Sequence, residues 1–304
     1  MRIVFMGSPD FAVPSLEKLN KSRHDIVAVV SGVDKRRGRG NRLTPTPVKA
    51  KALKLGLPVI EVEDLRTDEF AAQLRETDPD LFVVVAFRIL PSHVLKIPRK
   101  GSINLHASLL PKYRGAAPIH RAVINGEEET GCSIFFLDEK VDTGKVILQD
   151  RIPIGENETT GDVYEKLMRL GSELLEDAVD QIEQGTYQAK QQDDEEATGA
   201  PKLFGDDCKI SFDDDARNVH NKIRGLSPFP AAWTTLDGKR FKLYRSRYVP
   251  DKSIKPGKIK LVDDHVYVGC GTGAVELIEV QLQGKQKMGA MDFFLGYKGE
   301  MVIQ

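Results

Sequence analysis

The chain has 304 residues, of which 40% are hydrophobic and 29% charged, with a formal net charge of −1. The length points to two domains, and the composition is that of an ordinary soluble protein. The charge argues against a uniformly basic nucleic-acid binder but leaves local patches open, since partners respond to the distribution of charge rather than its sum. No apolar run approaches the ~20 residues of a membrane span.

In chain order, Arg2–Met6 is a continuous apolar run, expected for a strand buried on both faces of a parallel sheet. Starting there, it leaves no room for a signal peptide. Gly7-Ser8-Pro9-Asp10 breaks the run, and a helix to about Leu19 and a strand over Asp25–Ser31 should follow. The G-x-G-x-x-G spacing is absent, which argues against a bound dinucleotide; Gly7 reads either as a tight turn or as a small-ligand contact. From Asp34 to Thr46 the chain is polar, with five basic residues in eight positions over Lys35–Arg42. This cationic loop is either a solvated surface loop or a contact for a phosphate backbone.

A helix is expected over Pro47–Leu55, a strand over Val59–Val62 and a helix over Thr67–Glu76. Leu81–Ala86 is the clearest buried strand. It leads into Phe87-Arg88-Ile89-Leu90-Pro91, where the carboxyl edge of a sheet opens toward a ligand. Ser102–Ala107 reads as a short strand that places Asn104 and His106 on one face. Pro111 and Gly115 mark a loop after it. A helix over Ala116–Asn125 and strands over Gly131–Leu137 and Val146–Ile154 follow. The last two flank a polar turn carrying Asp142. Thr159–Gln184 is a long amphipathic helix, with Val163, Leu167, Leu170, Leu174, Val179 and Ile182 on its apolar face.

Between Thr186 and Asp207 the pattern dissolves, with an acidic run over Asp193–Glu196, and a linker is expected. Short strands dominate beyond it: Cys208–Phe212, Ala232–Leu236, Arg240–Arg247, Lys258–Leu261, His265–Cys270 and Val275–Gln281. One helix, Asp214–Arg224, interrupts them, and the spacing suggests a small barrel or sandwich. Cys132, Cys208 and Cys270 lie far apart without metal-ligand spacing, as suits free thiols in a reducing cytoplasm.

Asn, His and Asp without an evident serine or cysteine nucleophile suit direct transfer of an acyl group to an amine. The amine is itself the nucleophile, so the enzyme must stabilise the developing oxyanion and take the proton. Asn104 and His106 can donate to that oxyanion, while a nearby Asp142 would orient the ring and help a water carry protons. A metal reading through His106, His120 and Asp142 lacks a recognised ligand spacing. Ser108 as a nucleophile lacks the G-x-S-x-G elbow.

Asn104-Leu105-His106-Ala107-Ser108-Leu109-Leu110-Pro111, followed by Arg114-Gly115 and by Asp142-Thr143-Gly144, resembles the signature of the folate-dependent formyltransferases. Gly115-Ala116-Ala117-Pro118-Ile119, the Gly-Ser-Pro-Asp-Phe start at Gly7 and Pro228-Phe229-Pro230-Ala231-Ala232-Trp233 are similar to the branch acting on charged tRNA. The resemblance covers nearly the whole chain. It implies an α/β fold: a Rossmann-like formyltransferase domain with a mostly parallel sheet over residues 1–188, a linker over 189–206, and an OB-like β-barrel over 207–304 that binds tRNA. It further implies that Asn104, His106 and Asp142 catalyse transfer of a formyl group from 10-formyltetrahydrofolate, a co-substrate, to the methionyl amine of initiator tRNA, without a metal.

The same resemblance assigns folate contacts to Phe87, Arg88, Ile89 and Leu90 and to Ser108, Leu109, Leu110 and Pro111. It assigns contacts near the tRNA acceptor end to Arg36, Arg37, Arg39 and Arg42. A cytoplasmic monomer with no membrane partner is expected. One departure is Ala86-Phe87-Arg88-Ile89-Leu90-Pro91, which is shorter than the usual Ala-aromatic-Gly version. It is more similar to the segment found in formyltransferases acting on glycinamide ribonucleotide. His120 stands where a glutamine is frequent. Two other readings use the same residues: a formyltransferase for a sugar nucleotide or glycinamide ribonucleotide, and a non-catalytic RNA-binding module. The cationic loop and the second domain argue against the first, and the Asn-His-Asp set is unexplained by the second.

Overall fold

In a computed structural model, which describes residues 1–37 and 42–303, the first apolar run is strand β1 (Arg2–Gly7). Ile3, Val4, Phe5 and Met6 are fully buried, each contributing about 1.5–3 kcal/mol of transfer free energy. A single 3-10 turn leads into α1 (Val13–Lys21), and β2 (Asp25–Gly32) follows. Gly7 ends β1 where the backbones crowd: a Cβ there would lie 3.0 Å from Val85 O and 2.9 Å from Ala12 Cβ. Of the two readings left open for Gly7, this crowding gives a packing reason for glycine at the end of β1.

The flanks of the cationic loop are not irregular. Lys35 pairs with Thr44 and Arg36 with Leu43 in a two-stranded ribbon of β3 (Lys35–Arg37) and β4 (Arg42–Thr44). Residues 38–41, including Arg39, lie outside the described residues. Next come α2 (Pro47–Lys54), capped by Thr46, then β5 (Val59–Val62) and α3 (Asp68–Glu76), capped by Thr67; each cap satisfies a backbone donor that helix geometry leaves free. They are followed by β6 (Leu81–Val85), α4 (Ser92–Leu95), β7 (Ser102–His106), α5 (Pro118–Ile124), β8 (Glu129–Phe136) and β9 (Val146–Pro153). The sheet runs in the order β5-β2-β1-β6-β7-β8-β9. Its first five strands are parallel and β8 turns antiparallel to β7. The order reverses between β1 and β6, so their carboxyl ends open a crevice of the kind that receives ligands in α/β folds.

Helix α6 (Thr160–Gln184) begins at a reciprocal cap: Asp162 N donates to Thr159 Oγ1 at 3.2 Å, and Thr159 N to Asp162 Oδ2 at 2.8 Å. Its apolar stripe is core, with Val163, Leu167, Val179 and Ile182 buried.

Beyond α7 (Ala216–Gly225) stand β10 (Ala232–Leu236), β11 (Lys239–Val249), β12 (Ile259–Val262), β13 (His265–Gly269), β14 (Ala274–Leu282), β15 (Met288–Gly289) and α8 (Ala290–Leu295). They form an antiparallel sheet ordered β10-β11-β14-β13-β12, with β15 on β14. Phe241, Leu243, Val268, Ile223 and Phe294 fill its core. Thus the expected α/β fold holds: a mostly parallel first sheet and a separate β-rich module. Cys208–Phe212 is not the strand expected. It makes a single bridge, Lys209 to Trp233, after a 3-10 turn.

Two compact units result, and they interleave along the chain rather than dividing once at 189–206. One contains Met1–Gly115, Gly131–Ile152 and Glu165–Gly199; the other contains Ala116–Thr130, Pro153–Tyr164 and Ala200–Gln304. The second unit recruits the 153–164 segment through buried polar groups. Arg224 donates to Gly155 O and Glu158 O, and His220 Nε2 donates to Glu156 O at 3.0 Å while its Nδ1 meets Ser246 Oγ at 2.9 Å. Burial pushes the His220 pKa below its ordinary value. The unfolded chain therefore takes up this proton first, so the stabilisation is complete above about pH 6.5 and declines as pH falls below it, toward the lower folded-state pKa. Acid unfolding followed by Trp233 fluorescence should show a loss of stability that sets in below about pH 6.5 and that His220→Gln reduces.

Candidate active site

Strand β7 ends in the crevice between known neighbours: Asn104 faces Val84 of β6 and Phe135 of β8, and His106 faces Ser133. Period-two alternation sends Asn104 and His106 to one side and Leu105 to the other. Among the described residues, two buried side-chain oxygens lack a hydrogen-bond partner, Ser15 Oγ and Asn104 Oδ1. An unpaired buried amide costs about 1–3 kcal/mol unless a ligand meets it. Asn104 therefore fits an incoming polar group.

His106 is buried and fixed from two sides. Its Nε2 donates to Tyr113 O at 2.8 Å, and its Nδ1 lies 3.7 Å from Asp142 Oδ2. The first contact selects the Nε2–H tautomer, so Nδ1 is the nitrogen left for chemistry. The second separation is too long for a hydrogen bond yet close enough for charge to act. An edge-on contact with Phe135, at 6.5 Å between ring centroids, completes the walls.

Asp142 comes from the turn between β8 and β9. Its Oδ2 accepts from Gly115 N at 2.9 Å, and its backbone has φ +57°. Thr143 Oγ1 donates to Asp138 Oδ1 at 2.8 Å and steadies the turn. Gly144 is obligatory there: a Cβ would lie 1.7 Å from Phe136 O. The structure thus brings together Asn104, His106 and Asp142, the set read from the sequence.

The loop after β7 is pinned from below. Leu110 N donates to Ser133 Oγ at 3.0 Å, Ser133 Oγ to Ser108 O at 2.6 Å, and Gln149 Nε2 to Leu110 O at 2.7 Å. Ser108 Oγ is committed to Lys112 O at 2.6 Å. Leu109 and Pro111 are half-buried, and Leu110 is buried. In the 87–90 segment, Phe87 is half-buried, Leu90 buried and Ile89 76% exposed. Arg88 donates to Val62 O at 2.8 Å and Glu63 O at 2.6 Å, and its guanidinium sits 5.2 Å from the Phe87 ring. Its cation caps the end of β5.

Of the four arginines expected at tRNA, Arg36 is exposed on β3, Arg37 and Arg42 close the ribbon's described register, and Arg39 lies outside it. His120, in the second unit, contacts Phe229 O through Nε2 at 3.0 Å, and burial lowers its pKa. Among the described residues, one group has metal-ligand spacing, His24, Asp180 and Glu183, and Arg23 already pairs with both carboxylates. Sequence reasoning did not find Gln149, Tyr113 or Gln192 near the site. Their roles come from tertiary hydrogen bonds, which leave no local pattern.

Residues 1–179 match the formyl transferase family model, and residues 202–298 match the model for the formyl transferase C-terminal domain. The chain belongs to the formyl transferase family. As a member it is an enzyme that moves formyl groups; the first model also spans the 116–130 and 153–164 segments that pack with the second unit. Its sequence is 43% identical over 306 residues to a methionyl-tRNA formyltransferase of Geobacter metallireducens, covering 100% of this chain and 98% of the relative. It is 46% identical to the enzyme of that name from Chlorobium limicola, covering 99% and 97% of the two chains. Among solved structures, an N-formyltransferase from Helicobacter canadensis, in complex with folinic acid and dTDP-3-aminofucose, superposes with a TM-score of 0.69. It shares 22% identity, with 90% of this chain and 98% of that chain covered, and shows the common fold.

Proposed function

We propose that the enzyme transfers the formyl group of 10-formyltetrahydrofolate to the free amine of the methionyl residue on initiator tRNA, acting as a cytoplasmic monomer without a metal. The observation that carries this reading is the His106–Asp142 pair at the end of the strand on which Asn104, its buried Oδ1 without a partner in the protein, shares the face of His106. The neutral methionyl amine attacks the formyl carbon directly. Asn104 donates through Nδ2 to the negative charge that develops on the formyl oxygen, while its Oδ1, which has no partner within the protein, is left to accept from the attacking amine. His106 acts through Nδ1, its Nε2–H being held by Tyr113 O. Asp142 supports the positive charge that the imidazole gains when it takes the amine proton, and that proton then passes to folate N10 as the formyl C–N10 bond breaks and tetrahydrofolate leaves. A covalent enzyme intermediate is unnecessary, and the nearest hydroxyl of the signature, Ser108, is already engaged. Phe87, Arg88, Ile89 and Leu90, with Ser108, Leu109, Leu110 and Pro111, are proposed to line the folate side.

Two surfaces support a tRNA acceptor. The ribbon of β3 and β4 frames the cationic stretch that contains Arg36, Arg37, Arg39 and Arg42. On β11, Arg240, Arg245 and Arg247 are exposed, and Arg240 stands 4.2 Å from the ring of Trp233. Cations interleaved with an aromatic ring suit a phosphate backbone and its bases. The relatives named as acting on methionyl-tRNA match over almost their whole length.

An acceptor screen tests the reading: methionyl-tRNA should accept formyl, while a dTDP-linked aminosugar and glycinamide ribonucleotide should not. Efficient transfer to either small amine, with none to tRNA, would refute it. Arg39→Ala should raise the KM for charged tRNA and leave that for the formyl donor unchanged. Equal effects on both substrates would argue against a tRNA role for the arm.

A further inference from the structure

Residues 186–199, read from the sequence as part of a linker, run along the first unit as a strap. Tyr187 packs on Phe136 with ring centroids 5.4 Å apart. Lys190 and Val146 exchange both backbone hydrogen bonds at 2.8 Å. Two residues later the strap places a buried glutamine, Gln192, 8% exposed, behind the Asp142 turn.

Every polar position of that amide is used. Gln192 Nε2 donates to Asp142 O at 2.9 Å and to Gly144 O at 2.8 Å. Its Oε1 accepts from Arg114 Nε at 3.1 Å and Nη2 at 2.8 Å. Arg114 Nη2 also pairs with Asp194 Oδ1 at 2.8 Å, so the strap grips Arg114 from two positions. Further along, Thr198 Oγ1 accepts from Tyr113 N at 2.9 Å. Tyr113 supplies the carbonyl that holds His106 Nε2. The strap therefore braces the residues on both sides of the imidazole.

The backbone of Asp142 gives a second, independent reason for a brace. Its φ of +57° lies in the left-handed region, which costs a residue with a side chain about 1–2 kcal/mol. Such a conformation persists where surrounding contacts over-determine it. The carbonyl groups on either side of Thr143 are the ones Gln192 holds. Thr143 itself is tied back to Asp138.

We infer that Gln192 is a positioning residue for formyl transfer: its amide fixes the Asp142–Gly144 backbone and so keeps the Asp142 carboxylate facing His106. This rests on the reading that Asp142 serves His106. It makes the segment after α6 part of the reaction apparatus rather than a passive connection.

The test is a double-mutant cycle in the full chain, with kcat and both KM values measured for Gln192→Met, Gln192→Glu, Asp142→Asn and the combination of Gln192→Met with Asp142→Asn. Gln192→Glu keeps an acceptor for Arg114 and removes both donors, so it guards against a packing defect in the methionine variant. Both Gln192 variants should lower kcat by about 10- to 10²-fold, the scale set by small displacements of catalytic groups. The KM for the formyl donor should stay near the wild-type value. In the Asp142→Asn background, Gln192→Met should cost little more, since the residue it positions is already disabled. Wild-type kcat in both Gln192 variants, or an undiminished loss in the Asp142→Asn background, would overturn the brace alone. Near-wild-type kcat for Asp142→Asn would overturn the role of Asp142, and the brace with it.

Discussion

Replacing Asn104 with alanine should lower kcat by about 10²–10³, or roughly 3–4 kcal/mol of transition-state stabilisation, the scale of one lost oxyanion donor. The expectation follows from where this amide sits. Its Oδ1 is buried with no hydrogen-bond partner, so the alanine variant removes an acceptor that the fold leaves unpaired. The flanking residues of β7 keep their ladder to β6 and β8 through backbone groups alone. Thermal unfolding should thus move little while turnover collapses, a split that separates a catalytic group from a structural one. The KM for the formyl donor should change far less than kcat, because the interaction strengthens as charge develops on the formyl oxygen. His106→Ala should lose as much, but it also empties a buried site and frees Tyr113 O, so its effect on stability will be larger.

Gly144→Ala should be the most damaging conservative change in the turn. A methyl group there would stand 1.7 Å from Phe136 O, with the carbonyl carbon at 2.9 Å. Both are backbone atoms of β8 and cannot swing aside. The turn must open, which pulls Asp142 away from His106 and breaks the two hydrogen bonds from Gln192. A loss of about 3 kcal/mol or more, from overpacking and stranded buried carbonyls together, is expected in chemical denaturation, with activity lost in parallel. Gly185→Ala is the matched control. It has φ +70° with nothing within 4 Å of the added methyl group, so it should cost only about 1 kcal/mol.

The strands of the first sheet were legible because continuous apolar runs such as Leu81–Val85 have no other soluble use. The pairing of Asn104 with His106 was legible for the same local reason, since two residues apart on a strand is one face. The approach of Asp142 was not readable from pattern, because it depends on β8 and β9 returning the chain beside β7; the signature resemblance supplied it. Cys208–Phe212 looked like a strand because Cys208, Ile210 and Phe212 do alternate inward, yet burial alternation alone does not create a ladder. The short β15 and α8 carried too few residues to show a period. Gln192 was hidden most completely, as a polar residue in a polar stretch whose partners are backbone carbonyls some fifty positions earlier.

The division of labour is accordingly sharp. In the proposed reaction the residues at the end of β7 supply the chemistry, and the strap after α6 is inferred to hold Asp142 in place. The cationic ribbon and the exposed arginines of β11 are the features suited to selecting a large polyanionic acceptor.

The central claim is tested most directly by supplying labelled 10-formyltetrahydrofolate with methionyl initiator tRNA and methionyl elongator tRNA in parallel. The account predicts label on the methionyl amine of the initiator, much slower transfer to the elongator, and no label retained on the protein when tRNA is omitted. No transfer to either tRNA, or label bound covalently to the enzyme in the absence of acceptor, would contradict it.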